Sequence, residues 1–269
     1  MPLTQDNLFE RFQDGVLLAY FVCLIKPVVQ LNKLNRNIDQ SALSNKKQKI
    51  YGSKHFLEAY ENINAALKGV TMVGVKLVNV GSEDILNWNE TIGTAPPSLP
   101  TLQTNWFSVV LGLMWQVVRA ELLQNISVSG HPELVRLLED GESLLHLCQE
   151  GPEAILMRWV NYHIKKAGSD RTVTNWTSDL KDSECFLLVL SQIGKKLVDQ
   201  ESITEALKTS DLHKRAFAVV YNADRMGCAK FITANDIINC RAHINLAFLA
   251  NLFNRTSNFF LLFFDFSIK

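Results

Sequence analysis

The chain has 269 residues and is 47% apolar, enough for one large core or for two domains of ordinary size. Its 27 Lys and Arg balance its 27 Asp and Glu, which argues against bulk electrostatic binding to nucleic acid or to an anionic membrane surface and leaves a specific protein partner open. Five scattered cysteines (Cys23, Cys148, Cys185, Cys228, Cys240), mostly within apolar runs, are expected to be buried free thiols of a reducing compartment.

The first 12 residues lack the basic flank and apolar run of a signal peptide. No segment approaches the roughly 18 consecutive apolar residues of a spanning helix. Residues 14–25 form a strongly apolar helix closed by Pro27, and 31–49 are polar, a loop with at most a short helix. Residues 54–67 are amphipathic, with Phe56, Leu57, Tyr60, Ile63, Asn64 and Leu67 on one face and Gly69 as a possible stop. A helix start follows at 82–85. The stretch 87–105 holds Gly93, Pro96, Pro97, Pro100 and several threonines, and is expected to be a loop or disordered insert. Residues 109–123 return to a long apolar helix, and 127–150 link the two halves with a helical run of their own.

The most strongly marked helix is 151–168. Pro152 suits a first helical position, Glu153 favours the positive end of the helix dipole, and Gly168 can supply a left-handed terminator. Between them Ile155, Leu156, Trp159, Val160, His163, Ile164 and Ala167 share one face, with Arg158, Asn161, Lys165 and Lys166 elsewhere. After a turn at Asn175 and Trp176 come a helix at 182–193, a polar connection at 194–210, and an amphipathic helix at 212–226 stopped by Gly227. Thr233 is a plausible cap, and 244–254 form a last apolar helix.

No alternating strand pattern occurs, so the fold is all-α. Three blocks recur in order: Asp14-GVLLAYFVCLI with Asp182-SECFLLVLSQI, Gly74-VKLVNVGSEDI with Gly227-CAKFITANDI, and Val109-VLGLMWQVV with Ile244-NLAFLANLF. An ordered triple match implies an internal duplication, hence two similar domains in tandem. The shifting offsets place about 17 extra residues of the first half in the Pro/Thr-rich stretch.

Little of this supports chemistry. The run from Ser191 to Lys196 lacks the first glycine and the Ser/Thr of a phosphate-binding loop. Cys240 and His243 have metal-ligand spacing, with Cys228 upstream, but a zinc site needs a second close pair. His163 lies on an apolar face and is expected to be a satisfied core or boundary histidine. The polar positions Gln116, Arg119 and Glu121 cannot all be core and mark the face of the 109–123 helix that a partner could use.

The aligned stretches resemble calponin-homology domains, and among these the fimbrin (plastin) group of actin-bundling proteins. The resemblance is carried by Leu8-FERFQDGVLLAYF, Glu61-NINAAL, Gly74-VKLVNVGSEDI, Val110-LGLMWQVV, Pro132-ELVRLLEDGESLLHL, Pro152-EAILMRWVNYHIKKAG, Val173-TNWTSDLKDS, Ala223-DRMGCAKFITANDI and Ile244-NLAFLANLFN. It implies two tandem calponin-homology bundles, matching the family's first pair. The first spans 1–126, lacks its N-terminal helix and carries an insert at about 87–106; a helical linker follows at 127–150, then the second bundle at 151–254 and an unassigned tail at 255–269. The missing helix, insert and tail are the features expected of a partial or mis-joined reading of a longer gene.

The resemblance further implies binding to filamentous actin in the cytoplasmic cytoskeleton, by a monomer with no enzyme activity, no cofactor or metal, and no nucleic-acid or membrane partner. Carried over by position, the filament contacts fall on Gln116 and Arg119, and on Asn161, Lys165 and Lys166 as exposed candidates. A helical adaptor for a signalling or microtubule partner is the alternative.

Overall fold

A computed structural model describes residues 12–38, 43, 54–78, 80–86 and 106–264, the side chains of the last span at 109–256. The expected missing N-terminal helix and most of the expected insert therefore fall outside the described residues. Among those described there are helices and no strands. The chain divides into two compact units, Met1–Glu121 and Leu122–Lys269, so the stretch expected as a linker lies within the second.

In the first unit α1 (Val16–Ile25) buries Leu18, Ala19 and Val22 against α2 (Lys54–Val73). The short α3 (Ser82–Leu86) adds Ile85 and Leu86, and α4 (Trp106–Leu123) adds Val110, Leu113 and Val117. Gly69 does not stop α2. The helix runs on to Val73 and ends at Gly74, whose φ of 105° suits glycine. Gly69 is instead a packing residue, because a Cβ there would run into Val29. The buried stripe of α2 is Ala59, Ile63, Ala66 and Val70, while Leu57 and Asn64, expected on that face, are exposed. The buried polar residue is Asn62.

In the second unit a 3-10 turn at Pro132–Leu137 and α5 (Leu144–Gln149) lead into α6 (Pro152–Lys166). A 3-10 turn at Ser178–Leu180 then precedes α7 (Glu184–Ile193), α8 (Gln200–Lys208), α9 (Leu212–Arg225), α10 (Ala234–Ile238) and α11 (Ala242–Phe264). Six successive residues of α7, Cys185 to Leu190, are buried, so this helix is surrounded rather than amphipathic. Phe248 of α11 meets Phe186 at 5.5 Å, and Phe253 meets Trp159 of α6 at 5.4 Å, both edge-on.

Four helix ends follow the sequence closely. Pro152 opens α6 and Gly168, at φ 83°, closes it. Gly227, at φ 70°, terminates α9. Thr233 and Asp236 form a reciprocal capping box on α10. The sequence expectation of a polar connection at 194–210 is corrected by α8. That helix buries only Ile203 and Ala206, too sparse a stripe to reveal its period, and starts at an Asp199 cap accepting from the Ser202 N–H. The last helix also continues to Phe264, into the stretch expected as an unassigned tail.

The duplication extends to hydrogen-bond detail. Each core helix is entered through a left-handed residue, Gly15 at φ 75° and Ser183 at φ 64°. Beside each, an aspartate accepts from the helix start: Asp14 Oδ1 from Val16 N–H at 2.9 Å, Asp182 Oδ1 from Glu184 N–H at 3.2 Å. Asn62, 1% exposed, donates to the carbonyls of Asp14 and Asn35 and accepts from Asn35 N–H. Its counterpart Asn222, 0% exposed, accepts from Asp199 N–H at 2.7 Å and donates to the Ala218 carbonyl at 2.9 Å. Replacing Asn222 by Ala leaves the Asp199 N–H without that acceptor and is expected to cost about 2–3 kcal/mol in urea denaturation.

The halves differ at the left-handed position. Beside Gly15 a Cβ would lie 2.5 Å from the Ile63 nitrogen, so glycine is required there. Ser183 is tolerated, yet its hydroxyl is buried without a hydrogen-bond partner. Ser183→Gly relieves both the left-handed strain and the buried hydroxyl, and should stabilise the chain by about 1 kcal/mol. A fall in the urea midpoint would contradict this.

Candidate binding surface

The residues singled out on α4 do not behave alike. Val110, Leu113 and Val117 face the core, which turns Gln116 and Leu111 outward, both exposed. Arg119 and Glu121 are half-buried, and Arg119 is engaged in an interaction of its own. Gly112 opens the outer face further, since a Cβ there would meet nothing within 4 Å.

On α6 the outward face is narrower than the sequence suggests. Lys165 and Lys166 are exposed in the last turn, where cations favour the carbonyl end of the helix. The Lys166 ammonium lies over the Tyr162 ring at 5.7 Å from its centre. Asn161, expected to be an exposed candidate, is half-buried and committed. Its Nδ2 donates to the Val173 carbonyl at 2.9 Å and its Oδ1 accepts from Val173 N–H at 2.8 Å. It fixes the segment that returns after Gly168, and both ends of the amide are spent on that.

His163 corrects a second expectation. It touches the Trp159 ring edge-on at 4.8 Å and the Tyr162 ring at 5.3 Å, but its Nδ1 is buried without a hydrogen-bond partner. Burial, with Lys166 nearby, lowers its pKa to about 4. The imidazole is neutral and desolvated, not satisfied.

Sequence reasoning missed the arginine that organises this part of the unit. Arg158 forks onto Glu142 (Nη1 to Oε2 at 2.7 Å, Nη2 to Oε1 at 2.8 Å) and also bonds Glu150. His146 Nδ1 lies 2.7 Å from the same Glu142 carboxylate. The Arg158 hydrogen bonds, helped by His146, hold the Glu142 carboxyl at about 2. The clamp ties α6 to the segment before it, and its partners lie 16 and 8 residues away, beyond any local pattern. Arg171 makes a similar bridge to Asp182 and Glu184 at the mouth of α7. Asp179, accepting from the Thr174 N–H and hydroxyl at 2.8 Å each, is lowered to about 2.

Among the described residues, the His and carboxylate groups that converge are Glu142, His146 and Glu150, and not Cys228, Cys240 and His243. Arg158 already supplies the positive charge between the two carboxylates, so this cluster does not fit a metal ion. The cysteines are free thiols but not uniformly buried. Cys148 is exposed and Cys23 and Cys240 are half-buried, whereas burial raises the pKa of Cys185 to about 11 and that of Cys228 as well. Lys165 and Lys166 are thus exposed cations at the end of α6, and Gln116 is exposed on α4.

The sign for His163 follows from its depressed pKa. The unfolded chain, with an ordinary value of 6.5, takes up the proton that the fold refuses down to about 4. Stability is therefore full above 6.5 and is lost as pH falls towards 4. His163→Leu should flatten this slope, so that the urea midpoint drops less between pH 7 and pH 5 than it does in the parent chain. Equal drops would contradict it.

Comparison with known proteins places these features in a family. Residues 150–258 match the family model for the Calponin homology (CH) domain. Fimbrin from Dictyostelium discoideum is 35% identical over 254 residues, 94% of this chain and 36% of that protein. Plastin-2 from Danio rerio is 33% identical over 261 residues, covering 95% and 36%. Plastin-1 from Homo sapiens is 34% identical over 262 residues, covering 94% and 36%. The chain spans about a third of the length of these curated relatives. The crystal structure of the actin-crosslinking core of Schizosaccharomyces pombe fimbrin superposes with a TM-score of 0.65 at 27% identity, covering 93% of this chain and 43% of that one.

Proposed function

We propose that this chain, which belongs to the fimbrin and plastin family, binds actin filaments through its pair of helical units as a component of the cytoplasmic actin cytoskeleton. The observation that carries the reading is the similarity to fimbrin along 94% of the chain, which runs through both units rather than one. The solved relative is described as an actin-crosslinking core. A role in contact rather than catalysis agrees with the surface described above, and binding would need no nucleotide, metal or substrate. No described helix is long and apolar enough to cross a membrane.

Within this reading Lys165 and Lys166 on α6, and Gln116 with Arg119 on α4, are the residues offered to the filament. Exposed cations next to an aromatic ring are the kind of anchor that carries binding energy. Asn161 contributes by holding the chain beneath them. One tandem pair is taken as one filament site, so a monomeric chain binds without crosslinking.

Co-sedimentation with filamentous actin tests this. The chain should pellet with filaments at high speed and not at low speed. Lys165→Gln with Lys166→Gln should weaken binding about tenfold, with circular dichroism showing that the variant keeps its helical fold. No pelleting by a chain shown to be folded by circular dichroism would defeat the reading and favour an adaptor role. Low-speed pelleting would defeat the single-site part of it.

A further inference from the structure

The outer face of α9 carries a feature that the filament reading does not use. Phe217 is 68% exposed and Tyr221, one turn on, is 40% exposed. Arg225 follows on the same face, its guanidinium 5.8 Å from the centre of the Tyr221 ring and its Nε–H donating to the Leu197 carbonyl at 2.9 Å. Leu197 is itself 41% exposed. Phe217, Tyr221 and Arg225 form a strip running about 12 Å along the helix axis, with Leu197 joined to its end through its carbonyl.

The charge around the strip has one dominant sign. Lys195 and Lys196 are exposed beside Leu197, and Lys214 lies on the same face of α9 as Phe217 and Tyr221. With Arg225 these are four cations, against Asp224 and the Asp211 that stands 4.0 Å from Lys214. A large exposed aromatic beside an arginine held flat by a ring and a carbonyl is the composition of a protein-contact hot spot.

The geometry points to a docking site on α9 for an acidic protein segment that presents an aliphatic or aromatic side chain, its carboxylates meeting Lys195, Lys196 and Arg225 and its apolar group covering Phe217 and Tyr221. An anionic membrane fits less well. Asp224 and Asp211 sit within the same face and would be pressed against lipid phosphates, whereas a peptide can place its carboxylates selectively. This site stands apart from the actin reading and does not rest on it.

The test uses the whole chain, isotope-labelled, titrated with a peptide of about 15 residues bearing leucines at helical spacing among glutamates, and with the same peptide carrying lysines instead. Saturable binding of the acidic peptide is expected, with resonance shifts centred on Leu197, Phe217, Tyr221 and Arg225. Phe217→Ser, and separately Lys195→Glu with Lys196→Glu, should each weaken it at least about fivefold. All three substituted positions are exposed, and circular dichroism checks that each variant folds. Absence of saturable binding, equal binding by the lysine peptide, or unchanged affinity in both variants would overturn the proposal. Phosphatidylserine vesicles that bind the chain through Phe217 while the acidic peptide does not would overturn it in favour of a lipid surface.

Discussion

A buried amide sets the course of the chain in each unit. Asn62 and Asn222 lie at almost no exposure among apolar side chains, a position that costs free energy unless the amide is hydrogen-bonded. Each resolves that cost by gripping backbone: Asn62 the strand of chain at Asn35 and the carbonyl of Asp14, Asn222 the start of α8 at Asp199. The grip fixes where the segment after the core helix returns, and therefore which faces remain outside. Hydrophobic burial supplies most of the stability, but it is non-directional. The asparagines supply the register.

Around that grip the two units repeat one design with different tolerances. The tight approach of α2 to the α1 entry demands a glycine at position 15, while the corresponding entry to α7 leaves room for Ser183. The second unit adds an electrostatic layer, with Arg158 tying α6 to Glu142 and Glu150 and Arg171 tying the α7 entry to Asp182 and Glu184. These bridges lie partly exposed, so their value is in orientation more than in stability. Arg158 holds α6 against the preceding segment and Asn161 holds it against the returning one, and together they keep Lys165 and Lys166 facing outward.

Much of this was legible in the sequence where the signal is local. Pro152, Gly168, Gly227 and Thr233 mark helix ends through backbone geometry that only a few residues satisfy, and the core stripe of α6 follows from its 3.6-residue period. The duplication was legible because Asp14 and Asp182, and Gly74 and Gly227, keep their places. What escaped was non-local or sparse. Asn62 carried no local signal, because its partners lie 27 and 48 residues away. Asn161 looked like a surface residue for the same reason. Gly69 looked like a helix stop, since only the approach of Val29 shows that it is a packing contact. In α8 two buried residues among charged ones left no periodicity to see.

In the proposed complex the outer faces of α4 and α6 meet an actin filament while the cores beneath them stay as they are. Hydrogen exchange of the chain with and without filamentous actin addresses it most directly. Slowed exchange is expected around Gln116 and in the last turn of α6 through Gly168, with the buried amides of α7 unchanged. Protection confined to other faces, or none at saturating filament, would contradict it.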